Sequence, residues 1–571
     1  MKNILIKTIA ILCVGLLSVS CVKETFPKGG TVTKDQLEGS EQSLTHMLSG
    51  IPAAMMNSGA SGYYGSYGIH CDYGIAAIQL ATESMLEDIA INGEMNYYWF
   101  GSWMQNNSQG SDYIWCAYFW DLYYKWIKLA NEIISIVGEV DENTSEDAKK
   151  ALGQAYAYRA MFYIDLARLY EPKTNNYTTI TPEIMGLTVP IITENTTEEM
   201  AKNNPRATRE EMYQFIFSDL AKAEEYLADA VESYTAPGLT AVYGLYARAY
   251  LELGATYAEY PNQVPDPVVY DMDSERAYRE AAKYARMAIN RGMHSPLTQA
   301  QWEDPRTGFN DGGSNNSWVW GLTVSAENLS NLVASVAHRS CEAIYGYAVW
   351  TQIGVNQALY NQISDEDFRK HSWYDPDLGY AYKFAGSPDE QAGFVYGSMY
   401  NYPAVKYESL KFRPADGNVM DYTVGNSADW CLMRIEEMYF IEMEAQLRLS
   451  TGGLSKAQSL LNEFMQEYRY NSYDCTLATM TTDAFIKEML LQKRIEFWGE
   501  GVLYFDYKRL DCGITRGYTG TNVPATARLN CEGRSPQWNI VITRGEYQSN
   551  KGIKHPEMNN PDPTEKLTLW K

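Results

Sequence analysis

The sequence predicts an all-α protein of antiparallel helical hairpins, and three observations point there. Apolar residues recur at helical spacing along most of the chain. Helix-start signals precede several of these runs; Thr208-Arg209-Glu210-Glu211 places a threonine at the cap and a glutamate three residues on. Small residues alternate with Tyr and Leu on the same faces, as at Ala155, Ala157 and Ala160 or Ala277, Ala281, Ala282 and Ala285. That alternation is the packing logic of tetratricopeptide-like hairpins stacked into a superhelix.

Taken in order, Met1–Lys7 is a short positive segment followed by an apolar run from Thr8 to Leu17. The run is too short to span a bilayer and has the form of an export signal, assigned to residues 1–20. Cys21 follows small residues as in the lipobox of bacterial lipoproteins, which makes it the expected lipidated N-terminus. Residues 21–40 read as a flexible tether, and 41–571 as one domain with parts of about 41–300 and 301–571. Aromatic and aliphatic residues predict a helix over Tyr113–Val137, and Ser145-Glu146-Asp147 starts another that Pro172 ends. The Thr208 capping box opens a third, and periodicity places others at Thr240–Leu253, Ser274–Asn290, Cys431–Leu449, Ser455–Arg469 and Asp483–Glu500. Ser455 with Gln458 is read as the cap of the helix after Gly452-Gly453, and Met212, Met287, Met438 and Met443 as core. Gly50–Asn107, Met293–Val355 and Ser372–Asn426 are helix-poor, and tracts that long carry a function.

Composition narrows the function. The 571 residues carry 47 Lys+Arg against 71 Asp+Glu, a formal net charge of −24, which argues against nucleic-acid binding. There are 45 Tyr and 14 Trp against 16 Phe, an excess of rings that are apolar on the face and polar at one end. Seven cysteines follow Cys21, an odd number at wide spacings, read mainly as buried thiols; Cys512 and Cys531 flank one loop and are a possible pair. Six histidines show no HxxxH spacing and no segment has a Ca²⁺-loop pattern, so neither metal nor cofactor is expected.

Five segments, in order, carry a resemblance. Trp120-Asp121-Leu122-Tyr123 with Asn131 opens the series, followed by Arg159 to Tyr170, similar to "RAxxYFDLxRLYG". Pro205 to Tyr213 resembles "PRxTxxEVY", and Arg434 to Ala445 resembles "RxAEVYLIYAEA". Lys493 to Gly501 with Phe505 to Arg509 resembles "ERRxELxFEGxRxFDLxR", with Gln492 and Lys493 replacing the first Glu-Arg and Val502-Leu503 the His-Arg. The chain therefore resembles the SusD/RagB-type glycan-binding lipoproteins of Bacteroidetes over essentially its whole mature length. The resemblance implies a non-catalytic lipoprotein, exposed at the outer-membrane surface, that captures oligosaccharide or polysaccharide. It also implies a SusC-like TonB-dependent transporter as partner, and four tetratricopeptide-like hairpins with a loop-rich ligand face.

A sugar has an apolar C–H face and a hydroxyl rim, so its site needs flat rings beside Asn, Asp, Gln or Arg. Three clusters answer: Tyr97, Tyr98, Trp99 and Trp103 with Asn106; Tyr345, Tyr347 and Trp350; and Trp373 and Tyr374. The resemblance places the family's ligand aromatics in loops equivalent to the first two. The bland alternative for any one ring is packing against the scaffold. Glu496 and Glu500 share a helix face as a catalytic carboxylate pair would. With Arg494, Asp506 and Arg509 close by, they read instead as an ion-pair network. An all-α glycoside hydrolase, a helical-repeat protein that binds only protein, and a relative handling peptide are the competing classes.

Overall fold

Side-chain caps at Ser145, Thr208, Asp273 and Thr481 set four of the helix starts. The computed structural model describes residues 41–56, 71–91, 98–265, 270–306, 308–324, 334–343, 353–378, 405–476 and 480–571, without the side chains of 41–43, 91, 98, 99 and 337. The export signal, Cys21 and the tether lie outside these residues. Helices α1 (Glu41–Met56), α2 (Ile75–Ser84) and α3 (Tyr98–Met104) precede the long pair α4 (Ile114–Val137) and α5 (Glu146–Tyr170). Ser145 caps α5 by accepting from the Ala148 N–H, and the helix ends before Pro172. The expected Thr208 capping box opens α6 (Arg209–Leu227). Then come α7 (Leu239–Glu259) and α8 (Ser274–Asn290), the latter capped by Asp273. The C-terminal half adds α9 (Ile435–Arg448), α10 (Gly453–Tyr468), α11 (Thr482–Phe497) and α12 (Leu503–Arg509).

Three expectations are revised. Cys431 does not begin a helix: Trp430–Arg434 is strand β4, every residue of it buried, and a fully buried run has neither helical nor strand periodicity. It pairs antiparallel with β2 (Trp318–Leu322), Trp318 opposite Arg434. The chain enters α10 through Gly452 and Gly453, the latter at φ 76°, with no side-chain cap, so Ser455 lies inside the helix. The tract Gly50–Asn107 contains α2 and α3; α2 is buried all round, including Ala76, Ala77, Ile78, Leu80 and Ala81, which erases an amphipathic stripe. Of the four methionines read as core, Met287 is only half-buried. Cys512 and Cys531 are both free thiols. Among the described residues no helix is long and apolar enough to cross a membrane.

Helix α4 packs on α5, α5 on α6, α7 on α8, α8 on α9 and α9 on α10. One hydrophobic cluster of buried residues reaches from Ile51 to Leu567. The remaining strands are short. β1 (Ile89–Ile91) pairs antiparallel with β3 (Ile353–Val355), and β5 (Ile514–Thr515), β6 (Leu529–Cys531) and β7 (Thr568–Leu569) form a second small sheet.

Much of what fixes these layers is ionic and dry. Arg159 on α5 reaches Asn131 on α4 at 2.7 Å and Asp219 on α6 at 2.7 Å, tying three helices. At the other end, Glu496 on α11 receives Arg369 at 2.9 Å, Arg434 at 3.1 Å and Arg469 at 2.7 Å, with no side chain of the four exposed. Arg434 also meets Glu500 at 2.9 Å, and Lys411 meets Glu500 at 2.7 Å. Arg494 pairs with Asp88 at 2.8 Å, Lys493 with Asp506 at 2.8 Å, and Arg509 with Glu444. Buried cations also satisfy the carbonyls left over at helix ends. Lys508 donates to Arg168 O and Leu169 O at 2.8 and 3.0 Å, and Arg206 to Tyr170 O at 2.9 Å, at the end of α5. Lys411 does the same for Glu496 O and Trp498 O at the end of α11, at 2.8 and 2.9 Å.

Burial alone would raise the Glu496 carboxyl; Arg469, Arg434 and Arg369 overcome it and hold the group well below the usual carboxylate range. Arg434 and Lys411 act in the same way on buried Glu500. A carboxyl depressed by folding contributes stability that is complete above its unfolded value of about 4.3 and is lost as pH falls. Replacing Glu496 with Gln leaves three guanidiniums facing a neutral group. We expect a loss of about 3–5 kcal/mol in urea unfolding at pH 7. The wild-type advantage over the variant should shrink as the titration is repeated below pH 4.

Candidate functional site

The site is built outward from β3. Two irregular segments continue the β1–β3 pair sideways: Tyr407–Leu410 bridges β3 through Gly354 opposite Glu408, and Trp373 lies opposite Ser409 beyond it. Ser409 N donates to Ile353 O at 3.1 Å, Val355 N to Tyr407 O at 3.0 Å and Leu410 N to Ser372 O at 2.8 Å. Tyr407 N donates to Tyr374 O at 2.7 Å and Tyr374 N to Glu408 O at 2.9 Å. Glycine is required at 354, since a Cβ there would lie 2.3 Å from Tyr407 O. Tyr407 itself sits at φ 82°, a region that bulky side chains avoid and that persists only where surrounding structure enforces it.

The enforcing structure is the ionic network on α11. Arg369, four residues before Trp373, is bound to Glu496; Lys411, directly after Leu410, is bound to Glu500. Both segments of the floor are therefore pinned to α11 and the turn that follows it. Beneath them Trp373 is fully buried, edge-to-face with Trp498 at 5.7 Å, and Trp498 Nε1 donates to Asp88 O at 2.9 Å.

Tyr374 and Tyr407 are both half-buried, Tyr374 against Cys341 and Leu410 and Tyr407 against the main core. Tyr407 packs edge-to-face on Tyr360 at 5.0 Å, and the Lys406 ammonium lies 5.4 Å from the Tyr407 ring centre. Lys406 Nζ bridges Asp375 at 2.9 Å and Asp377 at 2.8 Å, and Tyr360 Oη donates to Asp375 at 2.8 Å. Burial raises the Asp375 carboxyl, but bonds from Lys406 and Tyr360 outweigh it and keep the group below its ordinary range. The bonds to Asp377 and Asp375 push the Lys406 ammonium up. Two partly wet rings with a fixed carboxylate–ammonium rim offer stacking and directional hydrogen bonds together.

Of the residues singled out from the sequence, only Tyr374 is placed among these half-buried rings. Trp103 and Trp373 are removed from solvent, so neither serves as an exposed platform. Trp103 stacks on Phe119 at 5.2 Å. Asn106 is also buried: its Nδ2 donates to Gln109 Oε1 and Pro563 O at 2.7 Å each, and its Oδ1 accepts from Leu567 N at 2.9 Å. It latches the C-terminal segment onto the first helices. Tyr98 and Trp99 lie in the first turn of α3, with side chains outside the description. Tyr97, Tyr345, Tyr347 and Trp350 lie outside the described residues altogether. Tyr407, Tyr360 and Lys406 were missed; the only local signal is the short alternation Tyr407-Glu408-Ser409-Leu410.

An open groove of about 1040 Å³ between α7, α11 and α12 is a less suitable binding site. Key cations on its wall are already committed, Arg494 to Asp88 and Arg534 to Glu259 at 2.9 Å. Glu496 and Glu500 form ion pairs as expected, and arginine-bound carboxylates below their usual range are poor general acids.

A superhelix of helical hairpins carrying a small aromatic floor defines a helical-repeat scaffold with a lateral aromatic segment. The matches to known proteins are specific. A family model described as "SusD family" matches residues 386–564. A SusD-like model described as "Starch-binding associating with outer membrane" matches residues 69–251, and the two together span more than half the chain. The chain belongs to the SusD/RagB family. Among solved structures it is similar to a SusD-like carbohydrate binding protein from Bacteroides vulgatus, with a TM-score of 0.65 and 19% identity over 90% of this chain and 97% of that one. A SusD superfamily protein from Bacteroides thetaiotaomicron gives 0.63 and 17%, over 91% and 100%. Surface glycan-binding protein A from Bacteroides fluxus gives 0.59 and 15%, over 91% and 99%. No curated protein matches the chain in sequence.

The backbone at 407 supplies a direct check. Tyr407→Gly and Tyr407→Ala both remove the ring, but only glycine is at ease at φ 82°. The glycine variant should be the more stable in urea by about 1 kcal/mol.

Proposed function

We propose that this protein captures glycan at the Tyr374–Tyr407 face without cleaving it. The carrying observation is that pair of half-exposed rings on a floor pinned through Arg369 and Lys411, beside the Lys406–Asp375–Asp377 rim. A pyranose stacks its C–H face on such rings while its hydroxyls reach the rim. Family membership and the glycan-binding neighbour support the same reading. Tyr98 and Trp99 on α3, with Tyr97, Tyr345, Tyr347 and Trp350, are the further rings assigned to this role from the sequence.

The finer parts of the reading rest on the resemblance. Lipid on Cys21 tethers the protein to the outer membrane, exposed at the cell surface, and a SusC-like TonB-dependent transporter receives the cargo. Stacking at about 1 kcal/mol per ring beyond area burial gives micromolar-to-millimolar affinity, which lets captured glycan be released. The ion-paired state of Glu496 and Glu500 supports capture over hydrolysis.

Affinity electrophoresis across a panel of polysaccharide gels tests this. Wild-type protein should be retarded by at least one polymer, and Tyr374→Ala should run free in it. Tyr407→Gly should lose most of the retardation. A reducing-end assay on the same polymer should stay flat; steady release of new ends would contradict the reading.

A further inference from the structure

Glu408 has no role in the frame described so far. Its residue is completely buried, and among the described residues neither Oε1 nor Oε2 has a hydrogen-bond partner of good geometry, the Val405 N–H lying nearby. Strand pairing gives its neighbours: Gly354 on one side, with Ala90 paired beyond it, and the Tyr374 backbone on the other. Tyr374 also packs with Cys341 and Leu410 in a small apolar cluster separate from the main core. Glu408 thus lies in a cross-strand row with Ala90 and Gly354 that ends at the half-buried Tyr374 of the proposed site.

Among the described residues, the cations near this spot are already drawn to other carboxylates. Arg413 is drawn to Glu342 at 3.6 Å, and Lys406 is held by Asp375 and Asp377. Cys341 is a buried thiol and contributes no cation. Burial pushes the Glu408 carboxyl well above its ordinary range, with only the Val405 N–H acting in the other direction. An apolar residue or glutamine would fill such a place at lower cost, because an ionisable group buried without a counter-charge is among the most expensive things a fold can hold. Among the described residues, Glu342, Asp375 and Asp377 outnumber Arg413 and Lys406, so the neighbourhood disfavours an anionic ligand.

We propose that Glu408 is the recognition group for an amine on the captured glycan, which makes amino-sugar polymers the preferred ligand class. The inference rests on the Tyr374–Tyr407 reading and adds a charge preference to it. Burial without a counter-charge favours the neutral acid of Glu408 in the free protein. When an ammonium-bearing sugar stacks on Tyr374, the carboxyl O–H bond breaks, its proton passes to buffer, and the carboxylate pairs with the ammonium. Uronate and sulfate polymers are excluded by the same acids.

Isothermal titration with a glucosamine hexamer, its fully N-acetylated counterpart and cellohexaose tests this at pH 7. The amine ligand should bind about tenfold tighter than either neutral one, as one added charge pair provides. Repeating the titration in buffers of different ionisation enthalpy should show about one proton released per amine ligand and none for the neutral pair. Glu408→Gln, whose folding is checked by thermal melting, should erase the preference and the proton release while neutral binding stays. Equal binding of all three by wild type, or a preference that survives Glu408→Gln, overturns the inference and leaves glycan capture standing. If no ligand binds at any concentration, and no gel retards the protein, the capture reading falls and this inference with it. Should the variant fail to fold, proton release by the wild type decides.

Discussion

The constraint on which the rest depends is the dry cluster of charge around Glu496. One carboxylate on α11 receives three guanidiniums, and Glu500, one turn on, receives Arg434 and Lys411. Removing a member leaves buried charge out of balance, which makes the cluster a strict specification of geometry even where its net contribution to stability is modest. Its arms extend to very different parts of the chain. Arg434 closes β4 before α9, Arg469 follows α10, and Arg369 and Lys411 flank the two segments that make the binding floor. A site assembled from loops needs such an anchor, because loops without one lose the orientation that binding requires.

This also explains which parts of the sequence were legible. The segments that carry the family resemblance turn out to be the frame. Arg159 spans α4, α5 and α6; Arg206 serves the end of α5; Arg434, Lys493, Arg494 and Arg509 are each bound to buried carboxylates. Charges that must find each other in a dry interior leave fixed residue types at fixed spacings, and amphipathic helices leave their period. The Thr208 box and the Ser145 cap were readable for the same local reason. Helix α2 and strand β4 were not, because complete burial removes the polar half of any pattern.

The binding face was harder to read. Composition marks Tyr and Trp as amphipathic but does not say which rings stay wet. Most tryptophans of the described residues are interior, and the indole nitrogens of Trp103, Trp373 and Trp538 find no partner, so these rings serve as plain hydrophobes. Asn106, chosen for its position beside rings, was buried by a C-terminal segment that lies far away in sequence. Tyr407 and Tyr360 had no motif to announce them. Tyr407 meets the Tyr374 backbone only because two distant segments add to β3, a long-range pairing that local periodicity does not encode.

The most direct measurement of the central claim is amide hydrogen exchange with and without a bound glycan. The account predicts that Ser409 and Leu410 exchange slowly in the free protein, since their amides are paired into the clamped floor. Glycan should then slow Tyr374–Asp377 and Val405–Glu408 while α11 stays unchanged. Fast exchange at Ser409 and Leu410 before any ligand is added, or protection confined to a different face, would contradict it.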